Sequence, residues 1–195
     1  KNVQLASDNS TIAVTFDEAV YSTNNGSGAL DTADFVFSIA GGSATLSSTA
    51  PTSISASSNT YTLGIGLSGL ADGTEVITVK PAANAIFDGG YNAASTTQSN
   101  NTATLNDRAG PKISSVALAA DNSTIAVTLN EASYKTNSGS GSLEKNDFIF
   151  SLTGGIATLS STTPSSISAD GNVYTLGVTI SGTPSGSELL KVTPA

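Results

Sequence analysis

The strongest constraint on what this chain can fold into is an internal repeat. The octapeptide Asp-Asn-Ser-Thr-Ile-Ala-Val-Thr at residues 8–15 recurs unchanged at 121–128. Residues 1–82 align with 114–195 at an offset of 113 without a gap, and 49 of the 82 paired positions are identical. Such self-similarity indicates a tandem array of one folding unit. At roughly 110 residues, each unit is long enough to bury a core of its own.

The repeat also predicts the domain boundaries. We expect a first repeat at residues 1–107, a linker at 108–111 and a second repeat at 112–195. The second repeat stops at Ala195, the counterpart of Ala82, so it is expected to lack its last strand and to present an unpaired sheet edge. Three explanations stay open: the sequence ends inside a longer array, a neighbouring chain supplies the strand as in donor-strand filaments, or the repeat is truncated.

The apolar residues alternate with polar ones at the period of a half-buried β-strand, and helical periodicity is absent. In the strand at 75–79, Thr78 corresponds to Lys191, so we expect Ile77 and Val79 to point inwards. Six inward apolar positions recur in both repeats: Ile12/Ile125, Val14/Val127, Phe35/Phe148, Phe37/Phe150, Leu63/Leu176 and Val79/Val192. About seven short strands per unit predict an all-β protein of two tandem antiparallel β-sandwiches, with a small barrel as the alternative.

The amino-acid composition argues against several classes of function. The net charge is −8 with only 11% charged residues, which argues against nucleic acid and anionic membrane surfaces as partners. The sequence has no Cys and no His, which removes thiol chemistry, the usual zinc ligands and the usual general base. We therefore predict a protein that is not an enzyme. An apolar run of membrane length is also absent, so membrane insertion is not expected.

Several motifs together carry a family resemblance. They are Val-Thr-Phe-Asp-Glu-Ala-Val at 14–20, the Asp-Phe strand start at 34–35, Gly-Gly at 41–42, Tyr-Thr-Leu at 61–63 and Phe-Asp-Gly-Gly-Tyr-Asn at 87–92. With these motifs the chain resembles bacterial Ig-like repeats, the tandem modules of very large cell-surface and adhesin-like proteins. The resemblance covers essentially the whole sequence and implies two Ig-like sandwiches.

The resemblance also implies a structural role. The expected function is a semi-rigid spacer or stalk that extends an adhesive or filamentous element from the bacterial surface, outside the cell. Its expected partners are neighbouring repeats of the same chain, copies of itself in a filament and surface glycans. The alternatives are a carbohydrate-binding accessory module of a secreted enzyme and a strand-exchanging fibre subunit.

Oxygen-bearing side chains are expected to gather near the domain junction, because successive antiparallel strands alternate in direction. Calcium takes about six to eight oxygen ligands, so it is the one cofactor to which these residues point. The candidate ligands are Asp17, Glu18, Asp34, Asp88, Asp107, Asn130, Glu131 and Asp147. The alternative is that these side chains cap turns and solvate the ends of the sheets.

Two tyrosines are candidates for binding sugars. Carbohydrate sites commonly stack sugar rings on exposed aromatic side chains, and the sequence contains no Trp. Tyr21 and its counterpart Tyr134 follow the end of a predicted strand in each repeat. Packing against the adjacent turn is the alternative role for both.

Overall fold

The computed structural model describes residues 2–195 and confirms an all-β chain of antiparallel sheets, with no α-helix in that range. The chain divides into two compact units, and the division falls between Gly110 and Pro111. We call the part up to Gly110 unit 1 and Pro111–Ala195 unit 2. No helix within the described range is long and apolar enough to cross a membrane.

The strands of unit 1 are β1 (Asn2–Leu5), β2 (Thr11–Thr15), β3 (Val20–Tyr21), β4 (Phe35–Ala40), β5 (Thr45–Leu46), β6 (Ile54–Ser57), β7 (Thr60–Gly64), β8 (Leu67–Ser68), β9 (Val76–Pro81), β10 (Phe87–Asp88) and β11 (Thr102–Thr104). The strands of unit 2 are β12 (Ile113–Leu118), β13 (Thr124–Leu129), β14 (Phe148–Thr153), β15 (Thr158–Leu159), β16 (Ile167–Asp170), β17 (Val173–Gly177), β18 (Ile180–Ser181) and β19 (Leu189–Pro194). A short 3-10 helix precedes β4 at Thr32–Asp34 and β14 at Lys145–Asp147.

Unit 1 has the layered arrangement of a β-sandwich. One sheet has the order β1-β2-β7-β6, and a second has the order β11-β9-β4. The short pairs β10-β3 and β5-β8 flank them. Unit 2 repeats the first sheet as β12-β13-β17-β16, whereas its second sheet has only β14 and β19. In the described residues of unit 2, β19 therefore has a hydrogen-bonded neighbour on one side only.

The core of unit 1 lies between its two larger sheets. Ile12 of β2 lies opposite Leu63 of β7, and Phe37 of β4 lies opposite Val79 of β9. All four side chains belong to one buried cluster. Phe16 packs edge-on against Tyr61 in the same cluster, with 5.7 Å between ring centroids. A T-shaped pair of this kind adds about 0.5–1.5 kcal/mol beyond the burial of its area.

The predicted core positions are confirmed in both units. Of the six recurring pairs, only Val14 is half-buried, and it packs against the core. Ile77 and Val79 are 0% and 3% exposed, so the inward face of β9 is the one that the Thr78–Lys191 correspondence predicts. Because successive side chains of a strand point to opposite faces, the single Lys at position 191 identifies the solvent-facing side of the strand.

The predicted linker is partly tied to unit 1. The backbone N–H groups of Arg108 and Ala109 both donate to the carbonyl oxygen of Ala71, each at 2.8 Å. Asp107 adds to this by accepting the Ala109 N–H at 3.0 Å through Oδ1. The first half of segment 108–111 is therefore held on unit 1 by backbone hydrogen bonds.

Candidate functional site

Three of the predicted calcium ligands share one depression in unit 1. Asp17, Glu18 and Asp88 line it together with the aromatic rings of Phe16 and Phe87. The carboxylate of Asp88 already accepts the backbone N–H of Asn92 at 2.9 Å and its side-chain amide at 3.1 Å. These hydrogen bonds lower the pKa of Asp88, so the carboxylate is charged at neutral pH and holds the 88–92 turn closed.

Asp34 and Asp147 occupy equivalent positions at the end of the 3-10 helices. Asp34 Oδ2 accepts the backbone N–H of Asp31 at 2.8 Å, and Asp147 Oδ2 accepts that of Glu144 at 2.7 Å. Burial raises the pKa of Asp34, although the hydrogen bond from Asp31 opposes this shift. Both aspartates therefore serve the local turn that starts β4 and β14.

The remaining candidate ligands also make local contacts. Asn130 Oδ1 accepts the N–H of Lys112 at 2.6 Å, and the backbone carbonyl of Glu131 accepts the hydroxyl of Ser133 at 3.2 Å. Asp107 accepts the Ala109 N–H, as described above. Within residues 2–195, no group of three or more acidic side chains is arranged to hold a metal ion. The contacts of Asp34, Asp88, Asp107 and Asp147 are those expected of turn caps, whereas Asn130 joins the residue before β12 to the end of β13. Calcium binding stays a prediction.

The two candidate tyrosines differ between the units. Tyr21 is half-buried and belongs to β3, where it pairs with Phe87 of β10. Tyr134 is 53% exposed and lies outside any strand, beside a depression that Leu143 and Tyr174 also line. The difference arises because unit 2 contains no counterpart of β10 within the described residues. Glycan stacking on either ring stays a prediction.

A buried carboxylate in unit 1 was not singled out from the sequence. Glu75 is 0% exposed, and its Oε1 accepts the backbone N–H groups of Ser43 and Ala44, both at 2.8 Å. Its Oε2 accepts the N–H of Asp72 at 3.0 Å. Burial raises the pKa of Glu75, but these backbone hydrogen bonds outweigh it and the net shift is downwards. The carboxylate thus joins two loops that lie about thirty residues apart in sequence.

Unit 2 repeats this arrangement at Glu188. Its Oε1 accepts the N–H groups of Ile156 and Ala157 at 3.0 and 3.1 Å, and its Oε2 accepts that of Ser185 at 2.9 Å. The Gly-Gly turn is required here because a Cβ on Gly155 would overlap the carboxylate of Glu188. A signal was present in the sequence, since Gly41-Gly42 and Glu75 recur together as Gly154-Gly155 and Glu188.

In unit 1, the repeated octapeptide closes a turn and binds the segment that follows β11. Asp8 accepts the N–H and hydroxyl of Ser10 at 3.0 and 2.7 Å, which closes the turn. Asn9 adopts a positive φ of 62° and is 3% exposed. Its side-chain amide donates to the carbonyl of Asn106 at 2.8 Å and accepts the Asn106 N–H at 2.9 Å. Asn9 therefore fastens the segment that follows β11.

The octapeptide at 121–128 of unit 2 has the same backbone conformation, but its Asn122 side chain makes no contact like that of Asn9. Asn122 has a φ of 59°, and Asp121 closes its turn on Ser123 at 3.0 Å as Asp8 does on Ser10. Asn122 is half-buried, and its amide has no hydrogen-bond partner among residues 2–195. The Asn122 amide therefore lacks the contact that Asn9 makes with Asn106 in unit 1.

Comparison with known proteins yields no relative. No protein-family model, no curated protein and no solved structure matches this chain.

Proposed function

We propose that this chain is a structural repeat segment of a secreted bacterial cell-surface adhesin or filament. Its two units are Ig-like β-sandwiches, and they act as a spacer whose repeat number sets the reach of the element they support. The observation that supports this most is the duplication of an entire unit, with 49 of 82 positions identical and the same buried positions filled in both copies.

The conserved contacts within each unit favour a mechanical role. What recurs is the core, the carboxylate that binds the Gly-Gly turn and the Asp-Asn turn before β2 and β13. All of these stabilise a fold. The candidate ligand residues recur only in part: Glu18 corresponds to Glu131 and Asp34 to Asp147, but Asp17 corresponds to Asn130. A spacer needs its fold preserved in each copy and no reacting group.

Single-molecule force spectroscopy tests this proposal. The chain would be placed between two marker domains of known unfolding force and stretched from its ends. At roughly 3.3–3.6 Å per residue, the extended lengths are about 36–40 nm for unit 1 and about 28–31 nm for unit 2, and we expect one contour-length step for each, shorter than this by the end-to-end distance of the folded unit. Each step should show a resolved force peak, because the first and last strands must be sheared from paired sheets.

One outcome of this experiment would contradict the spacer function, and one variant serves as its control. Extension to full length without a resolved peak from unit 1 would contradict a load-bearing spacer, because that unit has both sheets complete. As a matched control, Leu70→Ala alters a side chain that is 62% exposed and should leave the unit 1 peak unchanged.

A further inference from the structure

Unit 1 has a depression of about 290 Å³ beside the turn between β1 and β2. All of the residues that line it belong to unit 1, and none of them is a candidate ligand or tyrosine considered above. The turn and Arg108 form its polar part, and its apolar part is formed by Ile65, Leu67, Leu70 and Ala71. A concave, largely apolar surface with few polar groups is the usual form of a small-molecule site.

The apolar part of the depression has a buried floor and an exposed rim. Ile65 and Ala71 are 9% and 2% exposed, and Leu67 is half-buried. Leu70 is 62% exposed, so much of this large aliphatic side chain is in water. Covering it with an apolar ligand is favourable, because the gain scales with the apolar area removed from water. The corresponding residue of unit 2 is Thr183, so this apolar rim belongs to unit 1 alone.

Arg108, the only arginine in the sequence, supplies the positive charge of the depression. Its backbone N–H donates to the carbonyl oxygen of Ala71 at 2.8 Å, which holds the residue in place whatever its side chain does. The side chain is exposed, and within residues 2–195 its guanidinium makes no hydrogen bond or ion pair. A guanidinium presents its N–H donors in a planar fork that matches a carboxylate.

Asp8 supplies a negative charge in the same depression. Hydrogen bonds from the hydroxyl and N–H of Ser10 lower the pKa of Asp8, and the charge of Arg108 lowers it further, so the carboxylate is charged at neutral pH. Both bonds from Ser10 go to Oδ1, and Oδ2 is the oxygen left for a ligand. Among the described residues Asp8 and Arg108 form no ion pair with each other. The depression therefore presents two separate opposite charges beside exposed apolar surface.

We propose that this depression binds a free α-amino acid with an apolar side chain, such as leucine. The ligand carboxylate accepts hydrogen bonds from Arg108, its ammonium group donates to Oδ2 of Asp8, and its side chain covers Leu70. A purely anionic ligand suits the site less well, because it meets the like charge of Asp8 on a chain of net charge −8. A purely cationic ligand meets the like charge of Arg108. This inference does not require the spacer function.

The test titrates the whole, isotope-labelled chain with leucine and with three analogues that each lack one group. Isocaproate lacks the ammonium group, isopentylamine lacks the carboxylate, and glycine lacks the side chain. Leucine should cause saturable changes in the amide chemical shifts of Ser10, Leu70 and Arg108. Each analogue should bind more weakly than leucine by about tenfold, because it loses one charged hydrogen bond or the buried apolar area.

Two variants assign the charges of the ligand to their partners. Arg108→Gln leaves the backbone bond to Ala71 in place and should weaken leucine binding by about tenfold, while abolishing the preference for leucine over isopentylamine. Asp8→Asn keeps a side-chain oxygen for the Ser10 N–H and should abolish the preference for leucine over isocaproate. A merely structural role of either residue would not change these preferences between ligands.

Matched controls change a similar group outside the depression. Lys80→Gln removes one positive charge from β9, and Asp121→Asn alters the equivalent turn of unit 2. Both variants should bind leucine as the unaltered chain does. An absence of chemical-shift changes with leucine up to its solubility limit would overturn the proposal. Isocaproate or isopentylamine binding as tightly as leucine, or undiminished leucine binding by Arg108→Gln, would also overturn it.

Discussion

Glu75 and Glu188 show how a single side chain can organise an all-β unit that has few charges. Each carboxylate accepts backbone N–H groups from the Gly-Gly turn and from the loop that precedes its own strand. A carboxylate that accepts several such bonds strongly favours its charged form. In Glu188 the hydrogen bonds from Ser185, Ala157 and Ile156 lower the pKa from 4.5 to about 2.

The shift at Glu188 predicts an acid-sensitive unit 2. Because the folded-state pKa is depressed, the contribution to stability is fully present above about pH 4.5 and is lost as the pH falls towards 2. Glu188→Gln should lower the thermal midpoint of unit 2 at pH 7 and flatten its decline between pH 4.5 and 2. Melts followed at the resolved methyl resonances of Val192 and Leu176 measure this. Glu131→Gln serves as the control, and an unchanged pH profile in Glu188→Gln would contradict the assignment.

At the scale of the elements, alternation of apolar residues predicts the longer strands and the core. It does so because strand side chains alternate between faces and because burial decides which face is apolar. β3, β5, β8 and β10 have two residues each, too few to show a period. Alternation could not predict the Glu75 contacts either, because they join residues 31 and 32 positions apart, and only the recurrence of the Gly-Gly and Glu positions pointed to them.

The role of β11 in closing the core of unit 1 can be tested by one substitution. Leu105, the residue after β11, is 2% exposed and donates its N–H to the Glu75 carbonyl at 2.9 Å. Leu105→Ala should cost unit 1 about 2–5 kcal/mol through lost burial and the cavity left behind. Denaturation followed at the Phe37 and Phe150 amides should show the loss in unit 1 alone. A change below about 1 kcal/mol, comparable with that of exposed Leu70→Ala, would mean that β11 does not close the core.

At the scale of the molecule, one folding unit occurs twice, and within residues 2–195 its second sheet has three strands in unit 1 and two in unit 2. The repeat predicts which residues of the two units correspond, whereas the structure shows that residues 83–106 contact three of these positions in unit 1. Tyr134, Leu189 and Asn122 are the uncovered counterparts of Tyr21, Val76 and Asn9. Their exposure has a common cause, and it also explains why an aromatic ring that the sequence proposes for sugars is so accessible.

Residue-resolved amide hydrogen exchange of the intact chain tests this account most directly. Val79 and Val192 have the same residue type at the same place in the fold, but among the described residues only the Val79 N–H has a partner on the side away from β4 or β14, the Asn101 carbonyl at 2.9 Å. Relative to the central-strand amides of Leu63 and Leu176, we expect Val192 to exchange faster than Val79 by about fivefold or more, since a hydrogen bond is worth about 1 kcal/mol. Equal normalised protection of the two valines would contradict an open edge in unit 2.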